Sequence, residues 1–271
     1  MLKQRIITAL ILGVVFIGSI LFGNTVWVSL LFAVVLFAAS REIFDLTINP
    51  APVIVTILSA LFALLFWWSL SLVNPLLVYW QSLAGSTLWI LITIGFIFYR
   101  HQASRPYSQR LFMLGLGLVS LWICAHSVIY LHAVYGGWVL LYMLTLVWLA
   151  DIGAYFIGRQ FGKRKLAPSI SPGKTWEGVF GGILVNLIWM PLIYWLTDIL
   201  DIGLLTFLLI GISTVLISIA GDLFESILKR EAGVKDSSQL LPGHGGILDR
   251  IDSVIAASPV FVSGLMIAVS I

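Results

Sequence analysis

The sequence predicts an all-α, polytopic integral membrane protein with about nine transmembrane helices and a cytoplasmic N-terminus. Three observations predict it. Of the 271 residues, 60% are hydrophobic and only 10% charged, where a soluble domain carries about 25% charged residues. The mean hydropathy is +1.07. Apolar runs near the roughly 20 residues needed to cross a bilayer recur at 6–22, 26–40, 53–73, 84–99, 111–134, 137–157, 178–197, 202–221 and 254–271. Of these, 26–40 is short, and 84–99 follows an untidy stretch from Asn74 to Gly85.

The cations test the count, because Lys and Arg collect in cytoplasmic loops. With the N-terminus inside, the inside segments are 1–5, 41–52, 100–110, 158–177 and 222–253, and all 15 Lys and Arg fall in them. The outside 198–201 turn is acidic, with Asp198 and Asp201. Removing span 84–99 would put Arg41 on the opposite side from Arg100, Arg105 and Arg110, so nine spans are kept, with the C-terminus outside. Although Lys3 and Arg5 resemble a signal n-region, no small-residue cleavage site stands out after Ile6–Phe22, which is expected to be the first span. The lone Cys124 excludes an internal disulfide and a Cys-cluster zinc site. His101, His126, His132 and His244 show no zinc-binding spacing, and His126 and His132 are expected to be structural.

No internal repeat is apparent. Residues 1–136 form an expected scaffold of spans poor in polar groups; 137–271 holds nearly all the chemistry-bearing residues and both long inside loops, 158–177 and 222–253. If 222 onwards is helical, Asp222, Glu225, Ser226 and Lys229 share one face, and Asp249 and Asp252 repeat an i, i+3 pairing before the last span. Carboxylates such as Asp222 and Asp249 are hard ligands suited to Mg²⁺. Lys229, Arg230, Lys235 and Arg250 complement a polyphosphate. The Gly243-His244-Gly245-Gly246 turn can bring backbone close to a phosphate, and His244 can donate to one. Together these are the equipment of phosphoryl or nucleotidyl transfer. Topology alone explains Lys3, Arg5 and Arg41, but does not require six acids mixed with four bases at 222–252; of that set, Glu225 and Glu231 are the ones expected only to pair with other members of it.

Asp151 lies inside the sixth span and either hydrogen-bonds a neighbouring helix or faces a nucleotide cavity. Ser171-Pro172-Gly173-Lys174-Thr175 reads as a turn presenting hydroxyls and an ammonium at the inner surface, with Glu177 as a partner for Lys174. A P-loop is rejected, because Pro168 stands where the first glycine is needed and the context reads as helical.

From Ser226 to Asp252 the chain resembles the signature of the phosphatidate cytidylyltransferase (CDP-diacylglycerol synthase) family. Ser226, Lys229, Arg230, Lys235, Asp236, His244, Gly245, Gly246, Asp249, Arg250 and Asp252 all fit it, and Ser171–Thr175 also resembles the family. The resemblance implies that CTP and phosphatidic acid give CDP-diacylglycerol and pyrophosphate in phospholipid biosynthesis. It implies Mg²⁺ held by Asp222 and Asp249, with room for a second, monovalent cation such as K⁺. It also implies a homodimer in a bacterial inner membrane, with membrane lipids as partners and no nucleic acid. Asp249, Lys229, Ser226 and Arg250 would then be catalytic. Ser171, Lys174, Thr175, Arg230, Lys235, Asp236, His244, Gly245, Gly246, Asp252 and Asp151 would bind substrate. Two other readings remain: a CTP-dependent lipid kinase or a cytidylyltransferase acting on another lipid phosphate, separable by product analysis, and a transporter. The transporter is disfavoured because the charges gather at one membrane face rather than at the midplane.

Overall fold

The protein is described by a computed structural model covering residues 13–99, 105–241, 243 and 245–270. The cation positions Lys3, Arg5 and Arg100 and the proposed phosphate donor His244 lie outside the described residues, as do the first seven residues of the expected first span.

Helices carry the fold. After α1 (Gly13–Phe22) come α2 (Thr25–Thr47), α3 (Pro52–Ser69), α4 (Pro75–Gly95), α5 (Tyr107–Phe161), α6 (Trp176–Leu196), α7 (Leu204–Glu231) and α8 (Leu248–Ser270). Local chemistry sets their starts. The Asn24 and Asn74 carboxamides accept from Trp27 N and Leu77 N, each at 2.8 Å, satisfying N–H groups that a helix leaves orphaned. Pro52 and Pro75 stand in the first turns of α3 and α4, where a missing N–H costs nothing.

Seven of these helices are long and apolar enough to cross a membrane among the described residues. The 55-residue α5 contains one non-helical residue, Gly136, at φ 84° and ψ 172°. Unbroken, α5 would be roughly 80 Å long, far more than the ~30 Å hydrocarbon core. Gly136 therefore divides it into two spans, in the gap the sequence leaves between 134 and 137. A Cβ at the next residue, Gly137, would sit 2.1 Å from the Ile20 carbonyl oxygen, so α1 packs against the bend.

Several boundaries differ from the sequence expectation. The short apolar run at 26–40 belongs to a 23-residue helix that continues through Arg41, Glu42 and Asp45. The expected 222–253 loop shrinks to the residues between Glu231 and Leu248, because α7 and α8 extend past their apolar cores. Polar groups continue these helices, since their side chains pair there with one another rather than needing lipid. Residues 165–175 are also not a turn in a helical setting. β1 (Lys165–Ala167) and β2 (Ser171–Thr175) form an antiparallel hairpin, with Lys165 opposite Thr175 and Ala167 opposite Ser171.

The helices divide by burial: 61% of the most apolar window is buried in α5 and in α8, against 17% in α3 and 22% in α4 and α6. Bulky exposed side chains such as Leu64, Trp68, Trp80, Ile97 and Trp195 give the outer helices an apolar face suited to lipid. The inner helices approach closely through small residues. A Cβ at Gly153 would meet the Gly181 carbonyl at 2.8 Å, and one at Gly182 the Ala150 carbonyl at 2.7 Å, the small-residue packing typical of membrane helices. His126 and His132 are buried structural residues, as expected: His126 pairs with Ser69 Oγ at 3.0 Å and His132 with the Ile20 carbonyl at 3.0 Å. Cys124 is buried against the Val254 carbonyl.

Candidate active site

The hairpin and the ends of α5, α6 and α7 enclose a cavity of about 480 Å³, within the ~300–1,000 Å³ usual for small-molecule sites. Thr175 Oγ1 accepts from Gly178 N at 3.1 Å and so caps α6. Glu177 accepts from the Lys163 and Arg164 amides, each at 3.1 Å, and from Arg164 Nε at 3.3 Å, fastening the end of α5 to the start of α6. Glu177 is therefore not the partner of Lys174. With Glu177 turned back onto the 163–164 backbone, the Lys174 ammonium crosses the cavity to Asp222 Oδ2, at 2.6 Å.

Asp151, Ser171, Lys174, Thr175 and Asp222 all line this cavity, and Asp151 is exposed into it. Asp151 thus faces a cavity. Tyr155 and Arg159 line it too, with Arg159 Nη1 donating to Tyr155 Oη at 3.0 Å. The sequence reading gave Arg159 a topological role alone; its position two turns beyond Asp151 on one helix was the available signal.

Deeper in, α7 presents Asp222, Glu225, Ser226 and Lys229 along one helical face, as their spacing predicts. Ser226 Oγ donates to Asp222 Oδ1 at 3.4 Å. Lys229 Nζ lies between Glu225 Oε2 and Asp249 Oδ1, the latter at 2.7 Å. Asp249 Oδ2 accepts from Ser237 N at 3.0 Å, Ser237 Oγ at 2.9 Å and Gly246 N at 2.8 Å. Gly245 has φ +82°, and a Cβ there would meet Asp249 Oδ2 at 2.5 Å. The glycine turn thus closes on the protein's own carboxylate, and neither Gly245 nor Gly246 lines the large cavity.

The remaining predicted residues lie around this core. Arg230 is exposed, its Nε donating to the Ile170 carbonyl at 3.4 Å. Lys235 and Asp236 are exposed on the loop. Arg250 lines a smaller crevice with Phe16, Leu36 and Trp148. Asp252 borders a void of about 10 Å³ with Glu225 and Ser120, where Glu225 Oε1 and Ser120 Oγ are buried without a hydrogen-bond partner. Glu231 is drawn off to the side, its carboxylate taken by Arg105 Nε at 2.9 Å and by Tyr99 Oη. Burial alone would lower the pKa of the Arg105 guanidinium, but Glu231 and Tyr99 raise it above its usual value. Glu225 thus pairs with Lys229 of its own cluster, as expected, whereas Glu231 pairs with Arg105 from outside it.

Tyr155, Ser237 and Glu42 are not among the residues the sequence points to. Glu42 of α2 is 3% exposed and accepts four hydrogen bonds from the loop and from the start of α8. Only two acids, Glu42 and Asp45, occur in the first 136 residues; an acid that rare in an apolar stretch was the signal.

The profile of the Cytidylyltransferase family matches residues 3–268. The chain belongs to this family. The phosphatidate cytidylyltransferase of Pseudomonas aeruginosa is 38% identical over 290 aligned residues, covering 99% of this chain and 98% of the relative. That of Bacillus subtilis is 31% identical over 261 residues, 95% of each chain. That of Haemophilus influenzae is 56% identical over 136 residues, about half of each chain. The cytidylyltransferase profile spans the cavity, the hairpin and the α7–α8 network alike.

Proposed function

We infer that this chain transfers the cytidylyl group of CTP to phosphatidic acid, giving CDP-diacylglycerol and pyrophosphate. The carrying observation is a nucleotide-sized cavity holding Lys174, Asp222 and Asp151 in a cytidylyltransferase-family membrane protein whose full-length relatives are phosphatidate cytidylyltransferases. A phosphate oxygen of phosphatidic acid attacks the α-phosphorus of CTP. The bond from that phosphorus to the bridging oxygen breaks, and pyrophosphate leaves with the electron pair. The nucleophile is already an anion, so no strong base is needed, and rate comes from positioning and charge neutralisation. Lys174 meets the triphosphate in the cavity, with Ser171 and Thr175 donating from the hairpin. Lys229 and the loop amides hold Asp249 in place; Arg230 and Lys235 add exposed positive charge, whereas Arg250 lies apart in the crevice with Phe16, Leu36 and Trp148.

The donor set fits a divalent cation. Asp151, Asp222, Glu225, Asp249 and Asp252 face two paired lysines, Lys174 and Lys229, an excess of hard, negatively charged oxygen. Among the described residues no three such side chains converge as a cage, so a bound Mg²⁺ would rely on one or two carboxylates plus water and substrate phosphates. Asp222 would hold it from the cavity. Asp249 would join it through Oδ1, the oxygen that now meets Lys229 Nζ, since Oδ2 is held by the Ser237 and Gly246 amides. When bound, Mg²⁺ supplies neutralisation of phosphate charge. A second, monovalent cation such as K⁺ belongs to the same reading, and omission of K⁺ from the assay tests it.

The one-sided distribution of Lys and Arg and the bacterial relatives support an inner-membrane location with the cavity facing the cytoplasm. A homodimer belongs to the same reading and predicts twice the chain mass of 29.9 kDa after correction for detergent. The test is purified protein in detergent–lipid micelles with phosphatidic acid, Mg²⁺ and CTP labelled in the cytosine. Label moving into the lipid phase, and only with a divalent cation, is expected. Label entering the lipid only from the γ-phosphate of CTP would overturn the reading in favour of a lipid kinase.

A further inference from the structure

We propose that Glu42 is a positioning residue for the transferase, setting the placement of Asp249 from a helix distant in sequence. The proposal rests on the reading above, in which Asp249 takes part in transfer. Glu42 Oε1 accepts from Ser238 Oγ at 2.7 Å and Ile247 N at 3.0 Å; Oε2 accepts from Ser237 Oγ at 2.9 Å and Leu248 N at 2.7 Å. With the Ser237 hydroxyl turned toward it, Glu42 has four donors, as many as the lone-pair directions of one carboxylate. The Ile247 and Leu248 amides are among the N–H groups that the start of α8 leaves orphaned, so Glu42 caps α8 from α2, with its charge at the positive end of the helix dipole. Asp249 stands in the first turn of that same helix.

The second link is Ser237. Its single hydroxyl lies 2.9 Å from Glu42 Oε2 and 2.9 Å from Asp249 Oδ2, so the two carboxylates share one donor. Gly246 completes the arrangement. A Cβ there would fall 2.1 Å from Ser237 Oγ and 2.4 and 2.5 Å from the Glu42 oxygens. Only a residue without a side chain lets the loop pass between them. A shift of α2 therefore moves Ser237, the α8 terminus and Asp249 together, and Glu42 holds all three.

The experiment compares wild type, Glu42→Gln, Ser237→Ala and the double variant as purified full-length protein in phosphatidate-containing micelles. Thermal midpoint and monodispersity would define the folded fraction. Glutamine keeps the shape of Glu42 but turns an amide toward two donors. Per folded molecule, kcat should fall about 10–100-fold, the usual cost of removing a supporting hydrogen bond behind a reacting group, with KM for CTP little changed. The double variant should lose no more than the worse single variant, because both substitutions break one relay. Wild-type kcat in folded Glu42→Gln would overturn the proposal, as would a change confined to KM, or losses that multiply. If Glu42→Gln does not fold, Ser237→Ala decides: a lower kcat at unchanged KM supports the relay, and wild-type kinetics overturn it. An inactive wild type would instead overturn the transferase reading itself.

Discussion

The open and closed parts of the site use the same residue types differently. In the cavity, Lys174 and Asp222 meet at 2.6 Å with 24% and 29% of their side chains exposed. Behind it, Lys229 and Asp249 meet at 2.7 Å with 13% and 10% exposed, and Asp249 has three further donors. A part-exposed pair is worth little and exchanges partners easily; a buried pair is expensive to break once formed. The cavity pair is thus built to be taken apart by an arriving triphosphate and cation. The inner pair is built to stay.

Substitutions should separate the two, most severely at Asp249. Asp249→Asn should lower turnover by about a thousandfold, at the upper end for loss of one charge-stabilising group, in protein still monodisperse by size-exclusion chromatography. Near-normal turnover in that variant would remove Asp249 from the reaction. Lys229→Met should act mainly on stability, at about 3–5 kcal/mol, because it leaves Glu225 and Asp249 buried without their cation; denaturant or thermal unfolding in micelles measures this. Lys174→Ala should do the reverse, raising KM for CTP about tenfold with stability changed by less than about 1 kcal/mol. A large loss of stability there would erase the distinction between the two pairs. Gly246→Ala should cost about 1–3 kcal/mol by overpacking against Ser237 and Glu42. The smallest effect belongs to Arg164→Ala: its side chain is 77% exposed, and both turnover and thermal midpoint should stay within error of wild type.

The parts of this architecture legible in sequence were those written in local spacing. Helical periodicity placed Asp222, Glu225, Ser226 and Lys229 on one face. The two residues left between the spans 111–134 and 137–157 include Gly136, where α5 breaks. Two kinds of information were not local. Glu42 reaches Ser237 and Leu248 across 195 and 206 residues, and no periodicity in α2 points to a partner in another helix. The hairpin at 165–175 was hidden because its strands of three and five residues are too short to show alternation. Lys174 was assigned to Glu177 on nearness in sequence, whereas the hairpin carries it across the cavity to Asp222.

The burial of Cys124, the sole cysteine of the chain, makes the native protein nearly silent toward membrane-impermeant thiol reagents. Any cysteine introduced into a connecting segment would then report its own sidedness in intact cells. Placed one at a time at Asn49, Pro106, Asp201 and Val234, such reporters would map which compartment each loop faces, without first removing a native thiol.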